Sequence, residues 1–139
     1  MKKLLRIILT NWIHLVGFYI TTCLTLLLFK ATGLSEESNS WTTTIAIIPV
    51  STLFLFMLYG PMVIIGFYAV LIILDILCFE FTQLNVLKVI LFEWLLMISP
   101  FIFWAFKYEY WLWITLSLSF LITQFIRKPR LESWVVSSM

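Results

Sequence analysis

Three carboxylic acids, Asp75, Glu80 and Glu93, stand inside apolar stretches of a 139-residue chain whose only histidine is His14. Ionisable groups within lipid are costly, and they persist where they pair, carry protons or ions, or line a polar path. The chemistry on offer is therefore proton exchange, ion pairing or cation contact. Asp75 and Glu80 are five residues apart, about 140° round a helix, so they do not form a paired-carboxylate site for general acid and base work. Glu93 has the same relation to Lys88, which excludes an easy intrahelical pair. As the most deeply placed acid of a predicted helix over 84–106, Glu93 is the first functional candidate. Its carboxyl is expected either to stay neutral or to find a base or polar group elsewhere. Ser99-Pro100 follows on the same helix, where a proline kink at Pro100 frees backbone carbonyls.

A second constellation lies in the first apolar run. At 100° per residue, Thr10, His14, Gly17, Thr21 and Thr25 fall within about 80° of one another and make a stripe of small and polar groups. Its portion from Gly17 to Thr25 has the small-xxx-small spacing that lets helices approach closely in lipid. The stripe is expected to be a helix-packing face. The alternative is a polar wall along a path, with His14 as ligand or proton carrier. Because His14 neighbours Asn11 and Trp12 near the start of the span, it is expected to reach the headgroup region.

Other chemistries lack their residues. With one histidine, a bis-histidine haem cannot be built from this chain. Cys23 and Cys78 sit in separate apolar runs without C-x-x-C spacing, so no disulfide framework or zinc site is signalled, and no metal or cofactor is expected. Intramembrane protease motifs are absent. Small multidrug exporters are similar in size but place an essential acid in their first helix, and here that helix has none. The protein is expected not to be an enzyme. Nine basic and seven acidic residues in small groups leave no basic surface for nucleic acid.

The elements that position these residues follow from composition. Sixty-three per cent of the residues are hydrophobic and 12% charged, too few charges to cover a water-soluble globule. The fold class expected is all-α, a polytopic membrane helical bundle with helices near 5–29, 42–59, 62–81, 84–106 and 110–126, the whole chain forming one membrane domain. The apolar stretch from Trp41 to Phe81 would reach roughly 60 Å as helix, twice the ~30 Å hydrocarbon core. Gly60-Pro61 divides it by a kink or a tight hairpin, giving four spans or five. The aromatic residues Trp104, Tyr108, Tyr110, Trp111 and Trp113 around Lys107 mark a hairpin tip at a membrane surface. Lys2, Lys3 and Arg6 at one end, and Arg127-Lys128-Pro129-Arg130 at the other, favour four spans with both termini cytoplasmic. Pro129 is expected to end the last helix. A retained signal anchor and the lysine-flanked start suggest a bacterial inner membrane.

The function expected is that of a small non-catalytic subunit that packs against and supports a larger membrane protein complex, its partners being lipids and either other integral membrane proteins or copies of itself. The alternatives are a small oligomeric ion- or proton-coupled channel or transporter using Glu93 and His14, and a membrane immunity or inhibitor protein.

Overall fold

A computed structural model describes residues 2–34, 40–58, 60–81 and 85–136, and among these it is helical with no strand. The helices are α1 (Lys2–Leu9), α2 (Trp12–Thr32), α3 (Trp41–Leu58), α4 (Gly60–Phe81), α5 (Val86–Tyr108) and α6 (Leu112–Val136). Leu5–Thr32, Trp41–Leu58 and Val86–Tyr108 are each long and apolar enough to cross a membrane, and α4 adds the apolar stretch Ile65–Phe79. The protein is thus an all-helical bundle of the multi-pass membrane type.

Local chemistry sets the helix ends. Between α1 and α2 the chain does not leave the helical path; it tightens. Thr10 and Asn11 donate from their backbone N–H groups to the carbonyls of Ile7 and Ile8, three residues back, at 3.0 and 3.1 Å. Gly33 ends α2 with φ at 75°, and the N–H of Leu34 reaches the Phe29 carbonyl at 2.9 Å, a closing pattern that glycine adopts without strain. Asn85 caps α5 by accepting from the Leu87 N–H at 3.2 Å. The α5–α6 turn lies at Glu109–Trp111, with Glu109 itself left-handed at φ 51°.

Contacts fix how the helices run. Ile7 of α1, Val86 and Ile90 of α5 and Leu131 of α6 form one buried cluster, so both ends of the chain meet at the same end of the bundle. From there α2 climbs and α3 descends beside it: Leu26, Phe29 and Lys30 share a cavity wall with Thr44, Ile47 and Ile48, while Tyr19 meets Phe56 at 6.1 Å between ring centroids. α4 also descends, from Phe67 against Phe18 at 5.1 Å to Asp75 against Asn11. α3 and α4 thus both run antiparallel to α2. Phe56 and Phe67 touch adjacent α2 residues although eleven positions separate them.

The core lies between α2, α4, α5 and α6, where Phe18, Phe67, Leu71, Leu74, Met97, Phe101 and Phe120 are buried together. α3 reaches this group through the half-buried Phe56 and fully buries Thr44, Ile48 and Thr52. One expectation needs correction. α6 continues through Pro129 to Val136, so this proline does not end the helix. Ser99 and Pro100 are exposed on the outer face of α5, and the Ser99 hydroxyl turns back to the Leu95 carbonyl at 3.4 Å. That kink places no freed carbonyl at the buried acids.

A buried charge cluster joins the helices

The stripe on α2 packs against α6, and α6 answers it position by position. Thr25 donates to Thr115 at 3.0 Å, Thr21 donates to Ser119 at 2.8 Å, and His14 Nδ1 meets the Thr123 hydroxyl at 2.7 Å. Thr115, Ser119, Thr123 and Arg127 follow one another at intervals of four, one per helical turn, as the facing half of an antiparallel ladder. At Gly17 the missing side chain is what allows the approach, since an added Cβ would run into Thr123 Cγ2. Interhelical hydroxyl bonds in lipid average about 0.6 kcal/mol. Replacing Thr21 and Thr25 together by valine should lower bundle stability by about 1 kcal/mol, read as a small drop in the midpoint of denaturant-driven unfolding in detergent micelles.

The lowest rung of the ladder is a guanidinium. Arg127 is completely buried and spends its donors on three other helical paths. Its Nε donates to the Thr10 hydroxyl at 2.7 Å. Nη2 donates to both carboxylate oxygens of Asp75, at 2.6 and 2.7 Å, and Nη1 reaches Glu93 Oε2 at 3.4 Å. The tightened α1–α2 junction leaves the Ile7 carbonyl within 3.4 Å of Nη2. Around this centre Asn11 Nδ2 donates to Asp75 at 2.9 Å and Gln124 Nε2 donates to Glu93 Oε2 at 2.8 Å. Three buried polar atoms in and beside the cluster have no partner among the described residues: Asn11 Oδ1, His14 Nε2 and Glu93 Oε1.

The structure thus brings Thr10, Asp75 and Glu93 to one point and connects His14 to α6 through Thr123. The side chain of Glu80 and the surroundings of Gly60 lie outside the described residues. His14 does not reach a headgroup; it is completely buried, edge-on to Phe67 and Phe120 at centroid distances of 6.3 and 4.9 Å. Asp75 is likewise internal rather than at a solvated boundary. Glu93 lies seven residues into α5, in its first third rather than near its middle. Among the described residues, no three His, Cys, Asp or Glu side chains group as a metal site requires.

Arg127, Asn11, Gln124 and Thr123 did not stand out as site residues in the sequence. Arg127 reads there as part of an exposed basic cluster, whereas only Lys128 and Arg130 of that cluster face outward, pairing with Glu132 at 3.6 Å and lying 5.9 Å from the Trp12 ring. The four-residue rhythm of hydroxyls leading to Arg127 was the signal that would have found it. Comparison of the chain with models of protein families, with curated proteins and with solved structures returns no match.

Proposed function

We propose that the protein is a small non-catalytic membrane subunit that packs against a larger membrane protein assembly or against copies of itself. Gly66 carries this reading. It lies on the exposed face of α4 with Ala69, Val70, Ile73 and Leu77, and an added Cβ there would meet nothing. A glycine within a helix costs about 1 kcal/mol against alanine, and at Gly17 that cost is offset by close packing inside the chain. At Gly66 no contact within the chain offsets it, which fits the approach of a helix from another molecule. The groups able to do chemistry support the same reading, because Asp75, Glu93, Arg127 and His14 are all turned inward to hold helices together.

In this reading the chain crosses a bacterial inner membrane four times, with both termini on the cytoplasmic side. Arg6, Lys88, Lys128 and Arg130 lie at the end of the bundle where the termini meet, and Lys30 and Lys107 lie at the other. Removing the buried Arg127 from the count weakens the charge bias but does not reverse it.

Purification in mild detergent should yield the protein with a co-eluting membrane chain or as an oligomer. Gly66→Leu should release it as a monomer with unchanged helicity and melting temperature. A wild-type protein that is already a stable lone monomer would overturn the proposal.

A further inference from the structure

Two carboxylic acids and one guanidinium are sealed together in the bundle, each with no exposed surface. If both acids were ionised, one negative charge would remain uncompensated in a low-dielectric interior, at a cost that proteins avoid by binding a counter-charge or a proton. We propose that the Asp75–Glu93–Arg127 cluster is a binding site for one proton, held on Glu93.

The geometry selects the acid. Asp75 takes the two short bonds from Nη2 and a third from Asn11, the environment of an ionised carboxylate. Glu93 has a single longer contact with Arg127 and one neutral donor, Gln124, and its Oε1 has no donor at all. Two buried acids that share one guanidinium repel when both are charged, and one proton on Glu93 removes that repulsion.

A metal cation is a poorer occupant. Hard cations need about six oxygen ligands, whereas Asn11 Oδ1 and Glu93 Oε1 are the unpartnered oxygens of the cluster, and the guanidinium beside them repels a second cation.

Among the described residues, α1 and α2 present Thr10, Asn11 and His14, with Arg6 exposed; α4 presents Asp75, the buried thiol of Cys78 and the half-buried Tyr68, whose hydroxyl donates to the Asn11 carbonyl at 2.8 Å; α5 presents Glu93, with Lys88 exposed; α6 presents Gln124 and Arg127, with Lys128 and Arg130 turned outward. His14 is the one competitor for the proton. Its Nε2 is sealed among rings with no acceptor, so a second N–H there would be an unpaired buried donor.

The test is infrared spectroscopy of the wild-type protein in lipid nanodiscs at neutral pH. It should show the carbonyl stretch of one un-ionised carboxylic acid, shifted by deuterium exchange on prolonged incubation. Glu93→Gln should abolish the band. Asp75→Asn should abolish it as well, since one acid then faces one base. No band in the wild type, or a band that survives Glu93→Gln, would overturn the proposal.

A second measurement uses the pH dependence of unfolding. An acid that is protonated when folded and ionised when unfolded makes the folded state bind more protons, so stability falls as pH rises. The unfolding constant should rise up to tenfold per pH unit through the neutral range in the wild type. In Glu93→Gln this contribution should vanish, and equal slopes in the two proteins would overturn the proposal.

Discussion

Replacing Arg127 by methionine is expected to destabilise the bundle by about 3 to 5 kcal/mol, the largest effect of any single substitution in the chain. The loss does not come mainly from the bonds that disappear. It comes from leaving Asp75 without its charge partner where neither water nor another base can reach it, together with a stranded Thr10 hydroxyl and Ile7 carbonyl. The distinguishing experiment is compensation. A variant combining Arg127→Met with Asp75→Asn and Glu93→Gln has no buried charge left, and buried ion networks can be replaced by neutral groups at little net cost. Its melting temperature in detergent should recover most of the way to wild type. If the single variant is as stable as the wild type, the cluster does not hold the helices together; if the triple variant is as damaged as the single, lost packing rather than stranded charge is responsible.

Gly17→Ala is expected to cost about 1 to 3 kcal/mol, a large penalty for one methyl group on a helix that otherwise gains from alanine. The added Cβ would enter the space of Thr123 Cγ2 and lie 3.4 Å from Ser119 Oγ. Thr123 cannot swing away, because its β-branched side chain is restricted at χ1 and its hydroxyl is engaged with His14 and with the Ser119 carbonyl at 2.9 Å. The two helices must separate instead, and the rungs at Thr21 and Thr25 lengthen with them. Thr123→Ser removes the clashing methyl and keeps the hydroxyl. The double variant should therefore recover most of the stability lost by Gly17→Ala, and the recovery measures the clash directly through the cycle of single and double variants. A Gly17→Ala protein that melts with the wild type would mean that α2 and α6 do not meet as closely as described.

The class of the protein was legible from composition, because the charges are too few to coat a globule and the apolar runs have the length of membrane helices. The face on α2 was legible because threonine, histidine and glycine at helical spacing stand out from leucine and phenylalanine. Its partner was written in the same spacing on α6, but Arg127 adjoins Lys128 and Arg130, and adjacency in sequence hid the fact that one of these side chains points the opposite way. At 100° per residue Lys128 and Arg130 stand about 160° apart and Arg127 falls between them, on the arc that packs inward. Reading Arg127 as a topology signal therefore concealed the counterpart that Glu93 required. Gly60-Pro61 shows a different limit. A proline following glycine announces a break, but whether the chain reverses or continues depends on contacts with α2 that no local pattern contains.

The place of Arg127 after both acids in the sequence has a consequence for how the protein is made. A ribosome releases α4 and α5 before α6, so the acids at 75 and 93 are delivered to the membrane while their base is still being synthesised. Until residue 127 emerges, those helices have a reason to remain protonated, interfacial or attended by the insertion machinery rather than settled in lipid. Completion of the cluster therefore waits on α6, whose single arginine closes three earlier segments around itself.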